Sequence, residues 1–169
     1  MRNLILCGFM GSGKTAVGKL LAERLQMKFF DTDEIIVNKM GMSISEIFER
    51  YKEPYFRELE TQTIIEFENT DNAVISLGGG LAVNSVNHPY LKKAGTVILL
   101  DCGIEETLRR ISGDSSRPLT AGGEEDIINR YNLRKPIYEE VADIRVNSSK
   151  SPEETYKSVI QALEDLNQI

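Results

Sequence analysis

The run Gly8-Phe9-Met10-Gly11-Ser12-Gly13-Lys14-Thr15 constrains this chain more than any other feature, because of what stands on either side of it. Upstream, Leu4-Ile5-Leu6-Cys7 is a short continuous apolar run, the pattern of a parallel strand buried on both faces. Downstream, Val17, Leu20, Leu21 and Leu25 recur at helical spacing. A strand, a glycine-rich loop that fits the phosphate-loop pattern in full, and a helix make an anion site at the helix N-terminus. The expected contacts to the phosphates of a nucleoside triphosphate come from Gly11, Ser12, Gly13, Lys14, Thr15 and Ala16. Lys14 reaches the β- and γ-phosphates, and Thr15 offers its hydroxyl to the accompanying Mg²⁺.

With 169 residues the chain reads as one domain, residues 1–169, able to bury about two-thirds of its unfolded surface. Acidic residues outnumber basic ones 26 to 20, and a net charge of -6 argues against nucleic-acid or anionic-membrane partners. Ten arginines and ten lysines still permit a local basic pocket for an anionic substrate. The two cysteines, Cys7 and Cys102, read as buried thiols of a cytosolic protein, with a disulfide between neighbouring strands as the competing reading. His88, the only histidine, reads as a loop residue and leaves no material for a His-based metal site or a Ser-His triad. With no charged-then-apolar leader and no long apolar span, a cytoplasmic location is expected, and nothing in the composition demands more than a monomer.

Further strands are expected at Lys28-Phe29-Phe30, Ala73 to Ser76, Thr96 to Leu100 and Asp143 to Val146, with helical patterns between them. That alternation predicts an α/β fold, a three-layer, doubly wound P-loop NTPase with a five-stranded parallel sheet flanked by helices. Because ligands bind beyond the carboxyl ends of such strands, Asp31, Asp33, Gly78 to Gly80 and the loop after Cys7 should share one cleft. Ser43 and Glu46 have capping-box spacing, and Pro54 divides the following pattern into two helices, about 43–52 and 54–69, meeting at an angle. Pro152-Glu153-Glu154 opens a last amphipathic helix carrying Val159, Ile160, Leu163 and Leu166. Segment 112–123 is small, polar and glycine-rich around Arg117, which predicts a mobile lid.

Four more features matter by their order: Asp31-Thr32-Asp33, Phe56-Arg57-Glu58-Leu59-Glu60, Gly78-Gly79-Gly80 and Arg134-Lys135-Pro136-Ile137-Tyr138. Taken singly, each reads equally as a solvated turn, a surface charge or a sharp bend. In this order, with Arg117 of an R-P-L run before the last, residues 4–152 resemble the shikimate kinase family, small P-loop kinases of nucleoside monophosphate kinase architecture.

The resemblance implies Mg²⁺-dependent transfer of the ATP γ-phosphoryl group to the 3-hydroxyl of shikimate, a step of aromatic amino-acid (chorismate) biosynthesis. It implies that Arg57 and Arg134 pair with the substrate carboxylate, that Glu60 holds Arg57, and that Gly79 presents its backbone N–H. Substrate-binding helices would span about 33–69, with Asp33 accepting from ring hydroxyls and Phe48 and Phe56 either walling the ring or serving as plain core. Lys14, Asp33 and Arg117 would be catalytic, the last two by proton acceptance or hydrogen bonding and by charge stabilisation respectively. Asp31 would hold Mg²⁺ through water, beside Thr15. Arg110 and the Ser151-Pro152 turn would sandwich adenine near Lys150, with Arg109 as an adjacent rival for Arg110. Where many family members have Gly-Glu, this chain has Lys52-Glu53, so a position suited to a left-handed backbone carries a lysine. Two alternatives stand: a gluconate kinase-like enzyme, which leaves Arg57 with Glu60 and the triple glycine unexplained, and a nucleotide-binding regulatory module without transfer.

Overall fold

A computed structural model of the chain describes residues 1–112 and 123–167. Strands β1 (Asn3–Cys7), β2 (Lys28–Asp31), β3 (Ala73–Ser76), β4 (Gly95–Asp101) and β5 (Ile144–Asn147) form one sheet in the order β2-β3-β1-β4-β5. All four pairings are parallel. Helices α1 (Lys14–Arg24), α2 (Thr32–Met40), α3 (Ile44–Ile65), α4 (His88–Ala94), α5 (Ile104–Ser112), α6 (Gly123–Val141) and α7 (Pro152–Asp165) accompany them.

Successive strand residues point to opposite faces, so continuous apolar runs supply two cores at once. Ile5, Cys7, Ile75, Val97 and Leu99 pack on one side with Leu91 of α4 and Ile127, Tyr131 and Tyr138 of α6. Leu4, Leu6, Val74, Ile98 and Leu100 pack on the other with Val17 and Leu21 of α1 and Val159 and Leu163 of α7. This is the expected three-layer sheet. All five expected strands are present, with β1 starting one residue early at the fully buried Asn3. Its side chain donates to the carbonyls of Thr70 (2.8 Å) and Ala94 (2.9 Å) and accepts from the Ala73 N–H (3.0 Å). A buried amide satisfied on three sides behaves as core, which an apolar pattern cannot reveal.

Several local expectations need correction. His88 opens α4 instead of lying in a loop, with its Nε2 2.9 Å from the Ala82 carbonyl oxygen. Leu166 caps the C-terminus of α7 and stays half exposed, because the helix ends before another apolar turn can reach the sheet. Cys7 and Cys102 are buried free thiols, and burial pushes the Cys7 thiol up to about 12.

The two-helix reading of 43–69 holds with a shorter second part. Ser43 and Glu46 form the capping box, and helical backbone runs through Ile44–Ile65 with a break at Lys52. The end comes at Ile65 because the amides of Phe67 and Glu68 turn to carbonyls three residues back, those of Ile64 and Ile65. Lys52 has φ 69° and ψ 169°, a region in which a β-carbon is strained. Among the described residues its ammonium reaches only the nearby Glu49 carbonyl, so little offsets that strain. Lys52→Gly should therefore stabilise the fold by about 1 kcal/mol, raising the thermal midpoint by about 2–4 °C. A melting curve with no rise would show that the backbone there carries no strain.

Strand polarity brings the marked residues to one edge of the sheet. Gly8 follows β1, Asp31 ends β2, Gly78 to Gly80 follow β3, and Asp101 ends β4. Among the described residues, no helix is long and apolar enough to cross a membrane.

Candidate active site

The phosphate loop leaves β1 at Gly8, whose φ of 140° and packing admit no side chain: a β-carbon there would lie 2.3 Å from the Leu100 carbonyl oxygen. Helix α1 then starts after Gly13 with no side-chain cap, leaving its first amides for an anion. A cleft of about 320 Å³ opens there, lined by Met10, Gly11, Gly13, Lys14, Thr15, Ala16 and Arg110 among others. Lys14 folds back onto its own loop, donating to the carbonyls of Gly8 (2.8 Å) and Phe9 (3.0 Å). Across the floor, Thr15 Oγ1 lies 3.5 Å from Asp31 Oδ2.

Each residue of Asp31-Thr32-Asp33 has a separate task. Asp31 caps α2, its Oδ1 accepting from the Asp33 N–H at 3.0 Å. Thr32, fully buried, accepts the Gly78 N–H on its hydroxyl at 2.9 Å and so ties the start of α2 to the glycine run. Asp33 is left to face a second cleft of about 380 Å³ with Lys14, Thr15, Arg57, Glu60, Gly78 to Gly80 and Arg134. The expected shared cleft is therefore real, and Lys14 and Thr15 belong to both openings.

In this second cleft the two arginines come from different helices. Arg57 of α3 donates to Glu60 through Nη1 (2.7 Å) and to Glu53 through Nε (3.1 Å) and Nη2 (2.8 Å). Glu60 is 1% exposed, and burial pushes its carboxyl up to about 7 despite the pull of Arg57. Arg134 of α6 enters the same cleft, its Nη1 3.4 Å from the Gly79 carbonyl oxygen. Burial and the neighbouring Asp31 raise the Asp33 carboxyl above its usual range, while Lys14 and Arg57 oppose them. A carboxylate raised this way is a better proton acceptor than a free one. Phe48 and Phe56 pack ring to ring at 4.8 Å, serving both as a small core and as a wall of the cleft.

The two glycines that flank Gly79 have packing roles of their own. A β-carbon on Gly78 would lie 2.3 Å from Asp33 Oδ1, and one on Gly80 would lie 2.1 Å from Arg57 Nη1. At Gly79 the nearest atom would be 3.8 Å away, an ordinary contact. Gly78 and Gly80 thus make room for the two side chains, and Gly79 uses its carbonyl to accept from Tyr138 at 2.5 Å.

This arrangement joins a triphosphate loop to a cleft holding two arginines and an aspartate. The family model described as shikimate kinase matches residues 10–164. The chain belongs to the shikimate kinase family. A shikimate kinase of Sulfurihydrogenibium is 46% identical over 150 residues, 89% of this chain and 90% of that one. A structure of shikimate kinase from Acinetobacter baumannii in complex with shikimate superposes with a TM-score of 0.90 at 33% identity, covering 100% of this chain and 96% of the other. A gluconokinase from Sinorhizobium meliloti reaches a TM-score of only 0.56 at 15% identity, with 98% of this chain and 93% of that one covered, a likeness of fold alone.

A third opening of about 450 Å³ adjoins the phosphate loop and includes Arg109, Arg110 and the turn from Ser148 to Pro152. Geometry separates the two arginines that shikimate kinase sequence patterns leave level. Arg110 bridges the loop and the turn, donating to the carbonyls of Gly11 (2.9 Å), Ser148 (2.8 Å) and Lys150 (3.2 Å). Arg109 extends outward with its side chain 74% exposed and pairs only with Glu106 among the described residues. Lys150 is itself mostly exposed, its ammonium 3.7 Å from Glu154. Arg117 lies outside the described residues, as does the 113–122 part of the expected lid. Sequence reasoning places Gly78 and Gly80 in the cleft without giving either a task, and assigns none to Thr32, Glu53 or Tyr138. The four-residue spacing of Arg134 and Tyr138 on one helix face was the available signal for the last.

Proposed function

We propose that the protein transfers the γ-phosphoryl group of ATP to the 3-hydroxyl of shikimate, giving shikimate 3-phosphate and ADP in aromatic amino-acid biosynthesis. The observation that carries this reading is the sharing of Lys14 and Thr15 between the phosphate opening and the arginine-lined cleft, which puts donor and acceptor on either side of one lysine. The acceptor oxygen attacks the γ-phosphorus in line, the bond to the β-bridging oxygen breaks, and the hydroxyl proton passes to Asp33 or to solvent. Such a loose transition state asks mainly for positioning and charge neutralisation.

On this reading Lys14 leaves the Gly8 and Phe9 carbonyls for the phosphates, with Gly11, Ser12, Gly13, Thr15 and Ala16 presenting backbone amides. Arg57 and Arg134 together grip the carboxylate of the substrate, and Gly79 offers its N–H to a ring hydroxyl. Arg110 covers adenine from the loop side with Lys150 and the Ser151-Pro152 turn opposite. Arg117 adds charge stabilisation from a lid over about 112–123, and residues 33–69 form the acceptor segment of one domain.

Thr15 and Asp31 suit Mg²⁺, since hard oxygen donors stand close together beside the phosphate opening. No group of three His, Cys, Asp or Glu residues among the described ones could hold a metal unaided, so nucleotide phosphates and water would complete its coordination. The ion would neutralise charge on the β- and γ-phosphates. The proposal extends to a cytoplasmic monomer without nucleic-acid or membrane partners, in keeping with the net charge of -6. A coupled ADP-release assay should show turnover with shikimate and none above background with gluconate or nucleoside monophosphates. Absence of shikimate-dependent ADP release would defeat the reading.

A further inference from the structure

Asp101 ends β4 outside both clefts, yet three groups converge on its carboxylate. Its Oδ1 accepts from the Tyr131 hydroxyl (2.9 Å) and the Gly103 N–H (3.0 Å), and its Oδ2 lies 3.1 Å from the Lys135 ammonium. Tyr131 and Lys135 sit on α6 one turn apart, with the ammonium 5.6 Å from the Tyr131 ring centroid. Arg134 stands in the same turn, immediately before Lys135. The same helix is held a second time by Tyr138, whose hydroxyl donates to the Gly79 carbonyl. Tyr131 also meets Phe9 of the phosphate loop edge to face at 5.6 Å.

Two anchors one helical turn either side of Arg134 fix both the rotation and the height of α6 over the sheet edge. A long side chain reaching across a cleft amplifies any rotation of its helix, and a misplacement of about 1 Å at a positioning group costs on the order of a hundredfold in rate. We propose that Asp101 is a positioning residue for phosphoryl transfer: through Lys135 and Tyr131 it clasps α6 to β4 and aims Arg134 at the carboxylate of the acceptor. The idea rests on the assignment of Arg134 to that carboxylate. Asp101 touches neither substrate, and its effect on binding passes through Arg134.

Asp101→Asn keeps an oxygen for Tyr131 and Gly103 and puts a neutral NH2 donor where an anionic acceptor faced Lys135, so the clasp to Lys135 is lost while the other two contacts keep the fold. Shikimate KM should rise about fivefold while ATP KM stays within about twofold, and Lys135→Met should do the same from the other side. The deciding measurement is a double-mutant cycle with Arg134→Ala. If Asp101 acts through Arg134, Asp101→Asn adds nothing to shikimate KM once Arg134 is alanine. Additive effects, or equal rises in both KM values with a lowered melting midpoint, would overturn the clasp and leave the proposed reaction intact. Were Arg134→Ala by itself to leave shikimate KM unchanged, the carboxylate assignment and the clasp would fall together.

Discussion

Lys14→Met loses about 10²–10³-fold in kcat, the range for removing one preorganised cation or donor from a developing negative charge. Methionine retains most of the stem volume, so packing in the loop is little altered. What disappears is the ammonium held 2.8 Å from the Gly8 carbonyl and 3.0 Å from that of Phe9, ready to exchange those oxygens for phosphates. The charge of Lys14 also lowers the Asp33 carboxyl pKa against the burial that raises it. Removing it lets that pKa rise further, so the acid limb of the residual activity should move to higher pH. Steady-state kcat over a pH series measures both effects. A variant within about threefold of the parent would exclude Lys14 from the transfer step.

Gly80→Ala should raise shikimate KM by about ten- to a hundredfold while hardly changing the melting midpoint. The added methyl would sit 2.1 Å from Arg57 Nη1 and 2.8 Å from its Cζ, so the guanidinium has to leave. It can do so because it terminates a flexible side chain, which is why the fold survives. It cannot do so and keep both carboxylate partners, Glu60 at 2.7 Å and Glu53 at 2.8 Å. A planar cation displaced from its two anchors loses the geometry that makes paired hydrogen bonds to a carboxylate strong. ATP KM serves as the control, since no atom of the phosphate loop is among the nearest contacts of that methyl. Equal losses for both substrates would place the damage in the loop instead. Gly79→Ala offers the contrast: its methyl meets nothing closer than 3.8 Å, so any loss there would arise against bound ligand.

The strands and the phosphate loop were legible in the residues because their signals are local. A continuous apolar run followed by glycines and then a helical period admits one arrangement, and β1, the loop and α1 follow it closely. Pro54 likewise announced a break in α3, although the strained residue is Lys52, two positions earlier. That region ends earlier than its composition predicts, because the turn hydrogen bonds after Ile65 leave no compositional mark. Family resemblance named Arg57, Arg134, Asp33 and Gly79, but could not say why three glycines stand together. Nor could it decide between Arg109 and Arg110, which are identical in type and adjacent in sequence.

Sequence alone determined that this chain carries a triphosphate loop at the end of a buried parallel strand, because strand, loop and helix are contiguous and their geometry is set by neighbouring residues. Only the tertiary structure decided which partners meet: Gly78 with Asp33, Gly80 with Arg57, Thr32 with the glycine run, and Asp101 with α6. Those contacts join residues far apart in sequence, and their strength depends on distances of a few ångströms that only the packing of helices onto the sheet sets.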